Sequence, residues 1–322
     1  MYNIGVDIGA TAIKFGIVTQ NGEILFQDKI YTHVDDGFEK IASRLTAALK
    51  NIIEKSEIPL TDIQSIGLGI PGITNAKKLI HNATNLYWKN VPLCDRMSAE
   101  FPGIKILADN DANLACIAEK LYGKFKNIDN GVLLTIGTGI GSGVLLNGRI
   151  YHGNHNIGAE AGHIIIGENN FYDCSCGNNG CFETYCSTSA VAKYARKLLK
   201  DGAQSAIMQK VSQIKQVDSK LVFEYYAQGD ELCRKIVARF VTYFAKGLVS
   251  LINLLDPELI LIGGGFTASL PLIEKELNNK IDSGILHKGL GRAKIEKAAF
   301  GNDAGIIGAA MLDNYNKDDR PK

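Results

Sequence analysis

The same succession of short segments occurs twice in the sequence, at residues 8–24 and at residues 136–150. The two stretches read IGATAIKFGIVTQNGEI and IGTGIGSGVLLNGRI. Each contains an apolar run, a glycine turn, a second apolar run, an Asn-Gly pair and a third run. Apolar runs joined by glycine turns and Asn-Gly pairs are typical of antiparallel strands in hairpins. The repeat therefore predicts an internally duplicated chain in which each half contains three such strands.

The segments outside these hairpins alternate between helical and strand patterns. Apolar residues recur every three or four positions in 38–55 and 112–123, which predicts helices, and 188–250 is mostly helical in period. The run LILIGGG at 259–265 predicts a buried strand. Strands interleaved with helices indicate an α/β fold, and the hairpins make each sheet mixed rather than all parallel.

The length and charge of the chain limit what it binds. A chain of 322 residues is long enough for two domains with a cleft between them. Its 35 Lys and Arg residues nearly balance its 34 Asp and Glu residues, so we expect no nucleic-acid partner and no membrane partner. The start shows no basic leader, and no uncharged apolar run reaches the about 18 residues of a membrane span. A cytoplasmic protein with a small-molecule partner is expected.

Two glycine turns offer a backbone that can approach a phosphate closely. They are DIGAT at 7–11 and GTGIGSG at 137–143, and each follows a predicted strand. Taken singly, such a turn is more often a plain tight turn. Neither matches GxxxxGK[ST], and GTGIGSG opens no helix, so a P-loop and a Rossmann fingerprint are both disfavoured. Because the turns are paired, we predict a nucleotide site made of Asp7, Gly9, Ala10, Thr11, Gly137, Thr138, Gly139, Gly141 and Gly143.

Two further features extend this predicted nucleotide site. Asp7 could hold Mg²⁺ through water, or it could simply cap the turn. The glycines Gly264 and Gly265 follow a buried strand, at the end of an α/β sheet where ligands commonly bind. A flat base could lie against that backbone, although a plain strand-to-helix turn explains the glycines equally well.

The segment ADNDAN at 108–113 carries two carboxylates where a strand ends and a helix starts. Phosphoryl transfer to a hydroxyl needs one carboxylate within reach of the attacking O–H group. Asp109 or Asp111 could be that catalytic base. The competing interpretation is a helix N-cap, a position that Asp and Asn favour.

His163 and three cysteines have the composition of a structural zinc site. The order His163, Cys174, Cys176 and Cys181 supplies one imidazole and three thiolates. Seven cysteines in a cytoplasmic chain argue against disulfides, and Cys186 is expected to be a packed thiol outside the set. The metal would fix His163 and its neighbours Glu160 and Glu183 as acceptors for sugar hydroxyls.

These motifs together resemble the ROK family of repressors, uncharacterised reading frames and sugar kinases, within the actin and hexokinase-like ATPase superfamily. The resemblance runs over nearly the whole chain. It includes DIGATAIK, GIPG (69–72), NL (85–86), DNDAN, GTGIGSG, Gly153, Glu160, GH (162–163), CSCGNNGCFE, PELILIGGG (257–265) and NDAGIIGAA (302–310).

The resemblance implies a role for each matching residue. Asp111 matches the catalytic base, and the sugar-binding positions are Gly72, Asn85, Asn110, Asp111, Glu160, His163 and Glu183. The zinc ligands match His163, Cys174, Cys176 and Cys181. Asp109 falls outside the pattern and is expected to be a cap or a surface charge. Ala10 and Ala12 replace the usual Gly and Lys of the first hairpin, which bears on the choice of phosphate donor.

The implied protein is an ATP-dependent hexose kinase with a two-domain actin-like ATPase fold. We expect a small domain of residues 1–115 plus 303–322 and a large domain of residues 116–302 that holds the zinc loop. ETYCSTSA after the cysteines favours glucose as the sugar, with N-acetylmannosamine, N-acetylglucosamine or a β-glucoside as alternatives. ATP, Mg²⁺ and structural Zn²⁺ are the expected cofactors, and a homodimer or homotetramer is the expected assembly. A sugar-sensing repressor is disfavoured because family repressors carry an N-terminal helix-turn-helix domain, whereas four residues precede Gly5.

Overall fold

The computed structural model describes residues 1–74 and 79–318. The strands in this part of the chain are β1 Tyr2–Ile8, β2 Ala12–Thr19, β3 Ile24–Tyr31, β4 Ile63–Ile70, β5 Ile73–Thr74, β6 Ile80–Ala83, β7 Trp88–Val91, β8 Lys105–Asn110, β9 Gly131–Ile136, β10 Ile140–Leu146, β11 Arg149–Ile150, β12 Leu259–Gly263 and β13 Lys294–Lys297. The α-helices are α1 Phe38–Ser56, α2 Leu93–Glu100, α3 Asp111–Tyr122, α4 Glu183–Cys186, α5 Thr188–Lys200, α6 Ser219–Ala227, α7 Glu231–Leu255, α8 Leu270–Gly284 and α9 Ala304–Asp318.

The two predicted hairpin regions form as the sequence indicates. Strands β1 and β2 pair antiparallel, and β3 extends the sheet after the turn at Gly22, which has a φ of 81°. In the second region, Asn147 and Gly148 have φ values of 53° and 77°, as a tight hairpin turn between β10 and β11 requires. The helices predicted at 38–55 and 112–123 are also confirmed, as α1 and α3.

The two large sheets have the same strand order, which confirms the internal duplication. The first runs β3-β2-β1-β4-β8 and the second runs β11-β10-β9-β12-β13. In the first sheet β1, β4 and β8 pair in parallel, whereas β2 pairs antiparallel with both β1 and β3. Strands β5, β6 and β7 form a small third sheet. The mixed α/β architecture predicted from the sequence is therefore correct.

The chain divides into two compact units by its internal contacts. The first unit contains residues 1–133, 143–159 and the chain from Ala298 onward, and the second contains residues 134–142 and 160–297. The domain boundaries that the sequence predicts, at residues 115 and 302, stay a prediction.

In the first unit, helix α9 packs directly on the sheet. A Cβ atom on Gly5 would collide with the backbone carbonyl of Ile306, and one on Gly67 would collide with the carbonyl of Ala309. The absence of side chains at these two positions of β1 and β4 lets the helix backbone touch the strands. Helix α9 thus covers the central strands of the first sheet.

The core of the second unit is built around helix α7. Phe240 and Phe244 lie on its buried face, and the ring of Phe266 packs on both, with centroid separations of 4.8 Å and 5.8 Å. With 25 residues, α7 is long and apolar enough to cross a membrane by length and composition alone, but 56% of its most apolar window is buried within the protein. A core helix has these properties because it packs against other elements.

Candidate active site

The carboxylate of Asp111 lies at the first position of helix α3. The N-cap before it is Asn110, whose Oδ1 accepts hydrogen bonds from the amides of Ala112 at 2.9 Å and Asn113 at 3.3 Å. Oδ1 of Asp111 accepts a bond from the Ala112 amide at 2.8 Å. The N-cap is therefore Asn110 and neither of the two aspartates. The positive end of the helix dipole favours a negative charge at Asp111.

Asp109 is neither a cap nor a surface charge, so that expectation was wrong. The residue is only 7% exposed. Its Oδ1 accepts hydrogen bonds from the Asn110 amide at 2.7 Å and from Nδ2 of Asn113 at 3.1 Å, and its Oδ2 lies 2.8 Å from Nε2 of His152. Sequence reasoning missed His152 because its contact with Asp109 joins two segments 43 residues apart.

Gly72 lies beside the N-cap of α3. Nδ2 of Asn110 donates a hydrogen bond to the Gly72 carbonyl at 3.3 Å. A Cβ on Gly72 would collide with the backbone carbonyl of Asn82, so the close approach of these segments requires glycine. Asn85 lies exposed on the short helical turn Thr84–Leu86. The structure thus brings Gly72 and Asn110 together, and both belong to the first unit.

The first glycine turn is a tight hairpin that accommodates an alanine. The Gly9 amide donates to the Ala12 carbonyl at 3.0 Å, and the Thr32 hydroxyl donates to the Gly9 carbonyl at 2.6 Å. Ala10 is exposed and is not among the residues with positive φ, so its methyl group causes no backbone strain. Thr11 accepts at its carbonyl from the Thr32 amide at 3.0 Å.

Asp7 precedes this turn at the end of β1. Burial raises the pKa of its carboxyl group, and the charge of Lys14, whose Nζ lies 4.0 Å from Oδ2, partly offsets the increase. A carboxylate held in this way gains stability from any further cation nearby. Asp7 therefore has the chemistry expected of a residue that interacts with Mg²⁺, directly or through water.

The second glycine turn joins β9 to β10 and leaves open space at its first glycine. The Gly137 carbonyl accepts bonds from the amide and the hydroxyl of Thr188, at 2.8 Å and 2.7 Å. A Cβ on Gly137 would meet nothing within 4 Å, whereas one on Gly139 would lie 2.6 Å from Oε2 of Glu183. Thr138 is exposed and Gly141 is half-buried. This part of the turn can accept a ligand against its backbone.

Gly143 lies inside β10 and away from the turn itself. A Cβ there would lie 2.6 Å from Cβ of Cys116 and 2.8 Å from the carbonyl of Ala112. The missing side chain at Gly143 therefore lets α3 pack against β10. Its predicted contact with a nucleotide stays a prediction.

Gly264 lies against the end of β9. It has a φ of 81°, and a Cβ atom on it would lie 2.5 Å from the carbonyl of Ile136, the residue just before the second glycine turn. Gly265 is open, with nothing within 4 Å of an added Cβ. The structure thus brings two of the glycine segments predicted to bind a nucleotide to one edge of the second unit.

The predicted zinc ligands converge. The four ligand atoms of His163, Cys174, Cys176 and Cys181 all lie within 4.8 Å of one another. The separation is 3.5 Å between Cys174 Sγ and His163 Nδ1, and 3.6 Å between Cys176 Sγ and Cys181 Sγ. Zinc bonds of 2.0–2.3 Å in a tetrahedron place ligand atoms about 3.3–3.8 Å apart, so the set fits Zn²⁺.

The cysteines differ in how readily they ionise, because burial raises the pKa of Cys174 and raises that of Cys181 to about 11, whereas Cys176 shifts in the opposite direction. Although burial opposes it, hydrogen bonds from the Asn178 backbone and from neighbouring cysteines lower the pKa of Cys176 to about 7. A thiol that ionises easily is a good metal ligand. Cys186 is fully buried and contacts the Phe240 carbonyl, with 3.7 Å between sulfur and oxygen, so it packs outside the cluster.

Glu183 connects the cysteine loop to the second glycine turn. Its Oε1 accepts from Cys174 Sγ at 3.0 Å, and its Oε2 accepts from the Ile140 amide at 3.3 Å. Burial raises the pKa of Glu160, and the charge of Glu183 adds to the increase while His163 opposes it. The second unit therefore holds two carboxylates and an imidazole close enough to influence one another, beside a glycine turn.

The fold, the residues around Asp111 and the residues of the cysteine loop together define a class of protein. The structure resembles a ROK family glucokinase from Streptomyces griseus solved in complex with glucose and AMPPNP, with a TM-score of 0.83 and 28% identity over 97% of this chain and 99% of that chain. The protein has the two-domain α/β fold of the actin-like ATPases, with a mixed sheet flanked by helices in each domain.

The sequence identifies the family within that class. Residues 3–315 match the ROK family, and the chain belongs to it. It is 32% identical to a glucokinase of Thermotoga maritima over 96% of each chain. It is also 26% identical to a xylose repressor of Caldicellulosiruptor bescii, over 96% of this chain and 77% of the repressor.

Proposed function

We propose that this chain is an ATP-dependent sugar kinase that phosphorylates the 6-hydroxyl of a hexose, with glucose as the preferred sugar. One observation carries the proposal. Asp111 is held at the start of α3 by the capped turn that Asn110 forms, where a carboxylate can meet an incoming hydroxyl. The similarity to glucokinases supports this assignment and the use of ATP.

Asp111 acts as the general base in the proposed reaction. It takes the proton of the sugar hydroxyl while the hydroxyl oxygen attacks the γ-phosphorus of ATP. The bond between the γ-phosphorus and the bridging oxygen breaks, and ADP leaves with that oxygen. Asn110, Glu160, His163 and Glu183 bind other hydroxyls of the sugar, with Gly72 and Asn85 contributing at its edge.

The glycine segments bind ATP in this proposal. The phosphates lie along the backbone of these segments, with Gly9, Ala10 and Thr11 in one segment and Gly137, Thr138, Gly139, Gly141 and Gly143 in the other, and the base lies against Gly264 and Gly265. Mg²⁺, when bound, neutralises charge on the phosphates, and Asp7 interacts with it.

Zinc has a structural role in the proposal. It would be held by His163, Cys174, Cys176 and Cys181, whose ligand atoms already cluster. By fixing His163 and the loop that leads to Glu183, it keeps two sugar-binding groups in place. The metal takes no part in the phosphate chemistry.

Activity of the purified protein with ATP, Mg²⁺ and a panel of sugars tests the proposal. The panel contains glucose, mannose, N-acetylglucosamine, N-acetylmannosamine and a β-glucoside. We expect Asp111→Ala to reduce kcat by about 10²- to 10⁴-fold, the usual contribution of a general base. Asp95→Ala is the matched control, because Asp95 is also a first-turn acid, in α2, and is exposed.

The panel also separates the alternatives. If the protein prefers an N-acetylated sugar or a β-glucoside, it is still a sugar kinase, but glucose is not its preferred substrate. Sugar binding without phosphorylation of any sugar would refute the kinase and favour a sensor of the repressor type. Light scattering tests the proposed dimer or tetramer, and cell fractionation tests the proposed cytoplasmic location.

A further inference from the structure

The contact between Asp109 and His152 has no part in the proposed chemistry, yet it is placed next to the proposed base. Oδ2 of Asp109 lies 2.8 Å from Nε2 of His152, and Asp109 is 7% exposed. Removing a carboxylate from water is costly unless it is paired and hydrogen-bonded. The fold therefore retains Asp109 at this depth only together with its partners.

The other carboxylate oxygen holds the turn between β8 and α3. Oδ1 of Asp109 accepts hydrogen bonds from the Asn110 amide at 2.7 Å and from Nδ2 of Asn113 at 3.1 Å. One bond precedes Asp111 in the chain and the other follows it. Asp109 thus holds the backbone amide just before the proposed base and the Asn113 side chain just after it.

His152 lies at the start of a loop that a backbone hydrogen bond closes. It lies two residues after β11, and its carbonyl accepts a hydrogen bond from the Gly158 amide at 2.9 Å. Gly153 has a φ of 74°, a conformation that favours glycine and turns the chain directly after the histidine. The imidazole therefore meets Asp109 from a constrained backbone, although its side chain is 39% exposed.

We propose that Asp109 and His152 are positioning residues for Asp111. His152 holds one oxygen of Asp109, so that the other oxygen stays on Asn110 and Asn113 and keeps the start of α3 in its reactive orientation. This inference rests on the proposed function, because the positioning matters only if Asp111 is the base.

Kinetics of His152→Ala and His152→Gln test the inference. We expect His152→Ala to lower kcat about 10- to 100-fold, as a base displaced by a fraction of an ångström would, with the KM for ATP unchanged. His152→Gln keeps an N–H donor and should recover most of kcat. Asp36→Asn is the control, because Asp36 pairs with Arg44 at 2.8 Å on the surface of the same unit.

A second arm distinguishes positioning from general destabilisation. In an Asp111→Asn background, His152→Ala should cause no further loss of residual kcat, since the group it positions is already gone. An additional loss of about 10-fold or more in that background, or an unchanged kcat in His152→Ala alone, would overturn the proposal.

Amide hydrogen exchange gives a readout that does not need the kinase activity. His152→Ala should speed exchange at the Ala112 and Asn113 amides, which Asn110 caps, and His152→Gln should restore protection. Unchanged exchange would overturn the positioning of α3. If the wild-type protein phosphorylates no sugar, the proposed function fails and the catalytic inference fails with it, whereas exchange still reports whether His152 orders the turn.

Discussion

The substitution Gly137→Ala tests whether ATP phosphates lie against the second glycine turn. A Cβ on Gly137 meets no atom within 4 Å, and its φ lies outside the left-handed region. The folded protein can therefore accept the methyl group without strain. Because alanine restricts the unfolded chain, we expect the free energy of unfolding to rise by about 0.4–1 kcal/mol.

The same substitution should weaken the binding of ATP. A methyl group in the open space at Gly137 would hold the phosphates away from the turn amides, and a hydrogen bond to a charged group contributes about 1.5–3 kcal/mol. Since each 1.4 kcal/mol is tenfold, the KM for ATP should rise by about 10- to 100-fold. Sugar affinity should change little, because the residues that hydrogen-bond to Gly137, namely Thr188 and Gly139, are not proposed sugar-binding residues.

Steady-state kinetics and chemical denaturation of three variants provide the assay. Gly291→Ala is the control, since a Cβ there also meets nothing within 4 Å and Gly291 belongs to no proposed site. Gly139→Ala should additionally weaken sugar binding, because its Cβ would lie 2.6 Å from Oε2 of Glu183. If Gly137→Ala stabilises the protein but leaves the KM for ATP unchanged, the phosphates do not lie at this turn and the reasoning is refuted.

Three further predictions concern the remaining parts of the site. Asn110→Ala should lower the free energy of unfolding by about 1 kcal/mol in a denaturation experiment, because α3 loses its N-cap, whereas Asn110→Asp keeps a cap and should lower it less. Asp7→Asn should raise the melting temperature without ATP and Mg²⁺. Burial raises the folded-state pKa of Asp7, so folding disfavours its ionised form. The gain should be absent below the unfolded pKa of about 3.9 and should grow as the pH rises through the folded value; a gain independent of pH would contradict this. Cys181→Ser should abolish zinc in elemental analysis and weaken sugar binding, while Cys186→Ser should retain the metal.

Local patterns predicted the features that depend on local sequence. The hairpins β1–β2 and β9–β10 follow from apolar runs and turn residues a few positions apart, and the structure has both. The convergence of His163 with Cys174, Cys176 and Cys181 followed from residue type and spacing, because metal ligands are chemically distinctive.

Long-range contacts were beyond such reasoning. Nothing near Asp109 in the sequence indicates that it pairs with His152, and the same pattern of residues equally suits a surface charge. Gly143 reads as one more glycine of a turn until α3 is seen against it. The bond from the Ile140 amide to Glu183 likewise depends on the packing of distant segments.

The packing of α9 on the first sheet has a consequence for the order in which the protein folds during its synthesis. Strands β1 and β4 are made before residues 160–297, whereas the helix whose backbone touches Gly5 and Gly67 is made after them. Residues 160–297 emerge before it and contain most of the second unit. Domains usually fold as units in the order in which they are made. Here the second unit can fold first, while the central strands of the first sheet are not yet covered by α9. A nascent chain stalled before Ala304 should therefore bind chaperones through these strands.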